Sequence, residues 1–372
     1  MVRIKEVETA KELKQFIDLP YKIYKNNTYW APPIRGDERE YLQKIPAIDT
    51  GIKTHLLLAK EGKKVVGRIQ IILNENEIDF SGEKLVRFNK FDFYEDIHIC
   101  RALLEAAEQW AINHNVDRII GPFGYTNLDA AGLLVEGFDE ISCASTIYNF
   151  PYYREYIEEC GYDTYLEWLE HEFTVPKKIP EKVLRYSALM REKYQLSYAE
   201  FKTNREKKKW AQQILSLINI CYAHLPGFVP LSEEIKAYYY KKYIPIINKD
   251  YISLVVDKDN NLIGFGLTLP SYTEALQKSK GSILPFGFYH LWKASRVNNR
   301  AEMLLIAIHP DYQSKGITSI IFDQILEKYI EHGIEKVESN PEQATNMNVR
   351  NLWREYHYRL HKKRICYFKD LL

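Results

Sequence analysis

The chain has 372 residues, which is enough for two domains of ordinary size. Hydrophobic residues make up 46% of it and charged residues 27%, a composition that excludes intrinsic disorder. The 17 glycines and 15 prolines are too few for a linker-rich or low-complexity chain. No run approaches the ~18 apolar residues of a membrane helix, and the first residues lack a signal-peptide core. We therefore expect a cytoplasmic protein without an integral membrane segment.

The cysteines and the charge distribution further restrict the classes of function that the sequence allows. The five cysteines are scattered, with no CxxC pair and no metal-like spacing, so we expect reduced thiols and no metal. Residues 1–175 carry 20 Lys and Arg against 30 Asp and Glu, whereas residues 176–372 carry 31 against 20. The basic second half suits a phosphate-bearing ligand, although two oppositely charged halves packed together explain the asymmetry equally well. The basic runs are short and lack zinc-finger or RNP-type motifs, so we expect no nucleic-acid partner.

The first half has the pattern of an alternating α/β domain. Spacing of apolar residues predicts a helix near 10–24, a strand hairpin over 55–60 and 65–73, a strand over 85–93 and a helix over 97–114. A short strand over 116–120, a helix over 152–160 ended by Gly161 and a strand over 162–173 follow. Prolines at 176 and 180 mark a boundary.

The second half repeats this order. We predict helices over 209–221 and 233–246, a hairpin over 251–256 and 262–269, and a strand over 301–308. A helix over 316–330, a strand over 335–338, a helix over 346–356 and a final strand over 364–371 complete it. The last helix of each half carries a similar string, Tyr153-Arg154-Glu155-Tyr156 and Trp353-Arg354-Glu355-Tyr356. Chance can produce four matching letters, but the matching element order favours an internal duplication of about 170 residues.

The segment over 306–321 carries the clearest chemistry. A predicted strand runs into His309-Pro310, and a helix opens around Gly316. Free amides at a helix N-terminus bind phosphate oxygens, and a glycine there allows close approach. Lys315 adds a positive charge, and Ser314 and Thr318 add hydroxyl donors. This arrangement predicts a pyrophosphate site.

The same segment resembles the acyl-CoA-binding motif of the GNAT N-acetyltransferase superfamily, Gln/Arg-x-x-Gly-x-Gly/Ala after a strand ending Val-x-Pro. Gln313 and Gly316 match this motif, whereas Thr318 replaces its last small residue. A strand and a helix with Trp353 seven residues after Asn346 follow in the family's order. The resemblance implies a mixed α/β sheet fold with two tandem GNAT-like domains: a degenerate one over 1–176, a connecting segment over 177–205 and an acyl-CoA-binding one over 206–372.

The resemblance also implies roles for individual residues, with acetyl-CoA or another acyl-CoA as co-substrate and an amine attacking its thioester. The main chain of two strand residues would hold the pantetheine: Ile306 and Ile308. Cofactor contacts would also come from Gln313, Ser314, Lys315, Gly316, Ile317, Thr318 and Asn346. The family's acid, a Tyr on the last helix, is replaced by Trp353, whose indole cannot serve, and Tyr356 is the nearby alternative. Glu302 and Glu338 are candidate bases or, alternatively, solvated strand-end charges.

The first half lacks the phosphate-binding pattern, because Glu95 and Asp96 follow its strand over 85–93 and would repel a pyrophosphate. It has instead a long glycine-rich stretch over 121–140, which, with the residues after it, looks like a group of largely uncharacterised bacterial tandem-GNAT proteins. We hypothesise an acceptor pocket at the domain interface that attracts a cationic amine through Asn127, Asp129, Glu136 and Asp139. A structural loop capped by its own side chains is the competing interpretation.

An aromatic cluster marks the stretch over 270–300, where Phe286, Phe288 and Trp292 lie beside Lys293 and Arg296. It could line a long acyl chain, rest on a membrane surface, or pack the two domains together as core.

These patterns favour an acyl-CoA-dependent N-acyltransferase acting on a small-molecule or lipid-like amine. The alternatives are long-chain acyl transfer to a lipid-like amine, aminoacyl transfer of the Fem type, and a non-catalytic CoA-binding sensor. The heptads that a Fem-type coiled coil needs are missing. The acceptor, the acyl length and the oligomeric state stay open.

Overall fold

The structure is a computed structural model that describes residues 1–243, 245, 247–345 and 358–371. It divides into two compact units. Unit 1 consists of residues 1–169, 272–291 and 361–372, and unit 2 consists of residues 170–271 and 292–360. Each unit therefore combines segments from both halves of the sequence.

The first half begins with a strand and contains seven strands and five helices. They are β1 (Val2–Glu6), α1 (Ala10–Ile23), α2 (Arg35–Ile48), β2 (Ile52–Glu61), β3 (Lys64–Asn74), α3 (Glu75–Ser81), β4 (Leu85–Phe93), α4 (Ile97–Asn113), β5 (Arg118–Gly121), β6 (Leu133–Glu136), α5 (Tyr152–Glu159) and β7 (Asp163–Thr174).

The second half has six helices and seven strands among its described residues. Its elements are α6 (Glu181–Tyr194), β8 (Ser197–Tyr198), α7 (Asn204–Tyr222), α8 (Glu233–Tyr243), β9 (Ile252–Val256), β10 (Leu262–Pro270), α9 (Thr273–Ser279), α10 (Gly287–Ala294), β11 (Arg300–Ile308), α11 (Thr318–Glu331), β12 (Lys336–Glu338), β13 (Glu342–Gln343) and β14 (Tyr358–Asp370).

Unit 1 is built on a sheet in the order β1-β2-β3-β4-β5-β14. Only β4 and β5 pair in parallel within this order, and the other neighbours are antiparallel. Helix α4 buries the apolar stripe that its sequence predicts, including Leu103, Ala107 and Ala111, against this sheet. The resulting core excludes water from both the strands and the helix.

Unit 2 is built on a sheet in the order β7-β12-β11-β10-β9-β8, to which β7 contributes residues 172–174. Strands β11 and β12 are parallel, and the other neighbours for which pairs are described are antiparallel. Helix α11 packs Ile320, Ile321 and Ile325 into the core of this unit. Met190 of α6 joins the same core, so the segment 177–205, predicted as a connection, contributes structure to unit 2.

The last strand of each sequence half completes the sheet of the unit made mainly from the other half. In unit 1, residues 367–370 of β14 pair with residues 118–121 of β5. In unit 2, residues 172–174 of β7 pair with residues 336–338 of β12. Each sheet therefore depends on a strand that is distant in sequence.

Most of the predicted elements are confirmed within a few residues. Strand β4 has the predicted bounds, and the predicted hairpin turn has Glu61 in register with Lys64 and Gly62 at φ +57°. Sequence patterns missed α2, α3 and α6. The helix predicted over 346–356, with its Trp353-to-Tyr356 string, lies outside the described residues.

Glu172 on β7 lies at the centre of an ion-pair cluster in unit 2. Its carboxylate accepts hydrogen bonds from Arg300 (2.9 Å), Lys336 (3.0 Å) and Arg359 (3.1 Å), and only 7% of its side chain is exposed. Burial raises the pKa of this carboxyl, but the hydrogen bonds and charges of the three cations outweigh that effect and lower the pKa to about 2. The cluster therefore stabilises the junction of β7, β12 and β11.

We predict that Glu172→Gln lowers the free energy of unfolding at pH 7 by about 1–3 kcal/mol, because it leaves three cations without their shared carboxylate. A carboxyl with a depressed pKa stabilises the fold above its ordinary value of 4.5, and this contribution is lost as the pH falls towards 2. Urea unfolding of both proteins at pH 7 and pH 3 measures the effect. A difference in stability that stays constant over this range would contradict the prediction.

Candidate active site

Two parallel strands of unit 2 form a fork. Strands β11 and β12 pair over only three positions, which end with Glu302 opposite Glu338. Beyond this point β12 gives way to a chain that follows β7, since the amide of Ser339 donates to the carbonyl of His171 (2.8 Å). Strand β11 continues with β10 as its only strand partner among the described residues. A β-bulge at Leu304 lies where the fork opens.

Two carbonyl groups of β11 point into the open side of the fork. The amide of His309 donates to the carbonyl of Ile263 (2.7 Å), so alternation in this antiparallel pair turns the carbonyls of Ile306 and Ile308 away from β10. The hydroxyl of Tyr222 donates to Ile306 (3.0 Å), and the thiol of Cys221 donates to Ile308 (3.2 Å). The last residues of α7 thus hold the carbonyls for which the family resemblance predicts pantetheine contacts.

Tyr222 and Cys221 were missed by the sequence analysis. Both belong to the end of a predicted helix, but nothing in their spacing indicates that they reach β11. Burial raises the pKa of the Tyr222 phenol, and it raises the pKa of the Cys221 thiol to about 11. Both groups are therefore protonated at neutral pH and act as hydrogen-bond donors.

The turn after β11 presents a row of main-chain amides. The amides from Ser314 to Thr318 have no hydrogen-bond partner among the residues that the structure describes, and α11 begins without a side-chain cap. Ser314 and Gly316 have positive φ angles of 58° and 77°, and residues 313–316 are exposed. The side chain of Gln313 ties the turn to β11 by donating to Ile308 (3.0 Å). Such a row of open amides has the geometry that can bind an anion.

Lys315 lies beside this row of amides. Its ammonium is 5.5 Å from the ring centroid of Tyr194 and 5.4 Å from that of Tyr312. These contacts hold a positive charge next to the amides while leaving the residue exposed. Ile317, by contrast, is 1% exposed and anchors the turn in the core.

The corresponding fork in unit 1 is occupied by the protein itself. Strands β4 and β5 also pair in parallel over three positions, but the amide of Phe123 donates to the carbonyl of Phe88 (2.9 Å) just beyond them. The helix that follows, α4, is capped by Asp96, whose side chain accepts from the amide of His98 (2.8 Å). This acid occupies the place where an anion would bind, whereas the sequence analysis expected only that it would repel a pyrophosphate.

A row of acidic side chains crosses the fork of unit 2. Glu302 and Glu338 are 6% and 4% exposed, so the interpretation of them as solvated strand-end charges is wrong. Glu338 is also in register with Glu172 on β7, and register partners project from the same face of a sheet. The hydroxyl of Ser271 donates to Glu302 (2.7 Å). The fork therefore combines buried carboxyl groups with an open strand edge.

The glycine-rich stretch over 121–140 is a packed loop of unit 1. Asp129 accepts hydrogen bonds from the amide of Thr126 (3.0 Å) and from the hydroxyl of Tyr41 (3.2 Å). A side chain at Gly124 would come within 2.2 Å of Asp129, which explains the glycine. The other three predicted acceptor residues differ in burial: Asn127 is half-buried, and Glu136 and Asp139 are exposed. Their role towards an acceptor stays a prediction.

The two remaining predicted site residues, Asn346 and Tyr356, lie outside the described residues. The predictions for them are therefore unchanged.

A fork of parallel strands beside a helix start with open amides is the arrangement that the family resemblance predicts, and comparison with known proteins supports the same fold. Residues 213–358 match the model of the acetyltransferase (GNAT) family. A tandem GNAT protein from the clavulanic acid biosynthesis pathway has a similar structure, with a TM-score of 0.60 and 12% identity, covering 100% of this chain and 99% of that one. The chain therefore has the fold of a tandem GNAT protein, and its match to the GNAT family model covers residues 213–358.

Particular relatives resemble it over most of their length. Protein YghO of Escherichia coli (strain K12) is 27% identical over 373 residues, covering 95% of this chain and 93% of the relative. A bacterial ceramide synthase of Caulobacter vibrioides is 26% identical over 294 residues, covering 77% and 75%. A GCN5-related N-acetyltransferase from Sphaerobacter thermophilus has a TM-score of 0.53 at 10% identity, covering 100% of this chain and 96% of that one. None of the helices in the described part of the chain is long and apolar enough to span a bilayer.

We predict that Asp129→Ala lowers the free energy of unfolding by about 1–3 kcal/mol, because Thr126 and Tyr41 lose their acceptor. Urea unfolding measures this, with the exposed Asp139→Ala as the matched control. Unchanged stability together with a raised KM for an amine would instead support the acceptor-pocket hypothesis for Asp129.

Proposed function

We propose that the protein transfers an acyl group from acyl-CoA to an amine, with unit 2 binding the acyl-CoA. The observation that carries this proposal is the row of five amides from Ser314 to Thr318 next to the open side of β11. A diphosphate needs several converging donors and a nearby positive charge, and Lys315 supplies the charge. The capped start of α4 in unit 1 supports a single acyl-CoA site in the chain.

In this proposal the pantetheine chain runs along β11 and bonds to the main chain of Ile306 and Ile308. The carbonyls of these residues accept from Tyr222 and Cys221, so pantetheine amides would displace or share those two donors. Exchange of one hydrogen bond for another costs little, whereas loss without replacement would leave a buried group unsatisfied. Gln313 fixes the angle between the strand and the pyrophosphate turn. Asn346 remains a proposed cofactor contact.

We predict that Gly316→Asp weakens CoA binding at least about tenfold, because it places a carboxylate among the amides that would hold the diphosphate. A Cβ at this position meets only Met190, at 3.5 Å, so the fold tolerates the side chain apart from the strain of a positive φ. Isothermal titration calorimetry with CoA measures the change.

Gly333→Asp is the matched control for this experiment. Gly333 follows the other end of α11, has a φ of 68° and has open space at its Cβ position. It therefore carries the same backbone strain and the same added charge away from the amide row. Equal CoA affinity of the Gly316→Asp protein and the wild type would refute the proposed site.

The acidic row at the fork suits the second substrate. An amine arrives as a cation and must lose a proton before it attacks the thioester, and buried carboxylates favour its approach. We propose that Glu302 or Glu338 accepts this proton, directly or through water. The departing thiolate needs a proton, for which we propose the Tyr222 hydroxyl, whose hydrogen bond to Ile306 places it beside the strand edge along which the pantetheine would run. Tyr356 is the other candidate for this role.

We predict that Glu338→Gln and Tyr222→Phe each lower kcat by about 100-fold, since removal of a general acid or base typically costs this much. Glu302→Gln tests the other carboxyl. Release of CoA thiol with a panel of amines measures the rates, and the exposed Glu335→Gln on the same chain segment is the control. If all three variants retain wild-type kcat, the fork is not the site of chemistry.

A lipid-like amine is the second candidate acceptor, and similarity to the Caulobacter ceramide synthase favours it. A ceramide is an N-acylated long-chain amine, so related chemistry here would use a long acyl-CoA. Rates with acetyl-CoA and with palmitoyl-CoA, each measured with a small amine and with a long-chain amine as acceptor, separate the two acceptor classes. Binding of CoA without turnover over the whole amine panel would instead indicate a sensor.

A further inference from the structure

A short segment of unit 1, residues 282–291, projects large apolar side chains into solvent. The exposed fractions are 44% for Ile283, 74% for Leu284, 70% for Phe286 and 56% for Phe288. The sequence analysis left open whether this cluster is core, and its exposure excludes that role for these four residues. Soluble proteins rarely leave so many large apolar groups together on one short segment unless something covers them.

The segment follows a helix that is held to the rest of unit 1 by hydrogen bonds. Helix α9, directly before it, is bound to unit 1 through Thr273, which donates to the carbonyl of Ser142 (2.7 Å), and Gln277, which donates to that of Thr28 (2.7 Å). Arg35 donates to the carbonyl of Lys280 (2.7 Å). The apolar side chains are therefore presented at a defined place on unit 1.

The charges around the segment identify the chemistry of what covers it. Residues 275–301 contain no Asp or Glu, and Lys278 and Lys280 precede the apolar tip; Lys278 also pairs with Glu274 (3.3 Å), just before this stretch, while its side chain stays 61% exposed. Both lysines are exposed, and His290 follows the tip within α10. Lys293 and Arg296 continue the basic, acid-free stretch along the sequence. Aromatic and aliphatic groups flanked by basic residues are typical of proteins that rest on anionic bilayers.

We propose that residues 282–291 dock unit 1 onto the surface of an anionic lipid bilayer. Leu284, Phe286 and Phe288 enter the boundary between headgroups and acyl chains, and Lys278 and Lys280 contact lipid phosphates. This is peripheral binding. It needs neither acyl-CoA nor an amine, so its test is independent of the proposed acyl transfer.

Co-sedimentation of the full-length protein with lipid vesicles tests this, with no acyl-CoA and no amine present. One vesicle preparation is phosphatidylcholine with about one-third phosphatidylglycerol, and the other is phosphatidylcholine alone. We expect binding to the anionic vesicles that weakens as salt is added. The double variant Leu284→Ser/Phe286→Ser should lose at least about tenfold in vesicle affinity. Lys278→Gln/Lys280→Gln should weaken binding and reduce its salt dependence.

The double variant Ile112→Ser/Leu189→Ser is the matched control, because it also replaces exposed apolar residues, 40% and 50% exposed, elsewhere on the chain. All the substituted side chains are in solvent, so circular dichroism and thermal unfolding should show intact folds. Absence of wild-type binding to anionic vesicles overturns the proposal. So do equal binding to neutral vesicles, unchanged binding of the Leu284→Ser/Phe286→Ser protein, or its conversion of a dimer to a monomer, which would identify a second copy as the occupant.

Discussion

The geometry of the candidate active site depends on where the parallel pairing of β11 and β12 stops. Strands β11 and β12 share three register positions, and the hydrogen bond between Ser339 and His171 then directs the chain along β7 instead. This choice of partner leaves one edge of β11 without a neighbouring strand among the described residues, so that its carbonyls accept from the side chains of Tyr222, Cys221 and Asn340 instead. The same choice brings Glu302 and Glu338 to the point where the strands part. It also aligns β11 with the turn that starts α11. A longer pairing would close the edge with protein hydrogen bonds, and nothing could be bound along it.

The two units share one arrangement of strands and helix but differ in whether the strand edge and the helix start are occupied by the protein itself. Both contain a parallel pair of three positions followed by a helix. At the third position unit 2 has Glu302, whereas unit 1 has Arg87, which is completely buried in an ion pair with Glu77. In unit 1 a backbone amide fills the fork and an aspartate caps the helix. Those contacts stabilise the unit, and the same contacts make it unsuitable for an anionic ligand.

The local parts of this architecture could be predicted from sequence, and the non-local parts could not. Alternating apolar residues predicted β4 and the β2–β3 hairpin, and the motif around Gly316 predicted the turn before α11. Tyr222 was missed because its contact with Ile306 joins residues 84 positions apart, which no local pattern encodes. Burial of Glu302 and Glu338 was missed for a similar reason, since both look like strand ends until the neighbouring strands are known. Aromatic residues usually indicate core, and Phe286 and Phe288 depart from that rule.

The dependence of each sheet on the last strand of the other half has a consequence for any attempt to divide the chain. A gene encoding either half alone would specify a sheet that lacks its β7 or β14 partner and leaves a bare edge, which favours aggregation. Each half therefore depends on the other for one strand of its sheet. The same connectivity makes the molecule suited to a split-reporter design, in which two inactive fragments regain their missing strands only by associating.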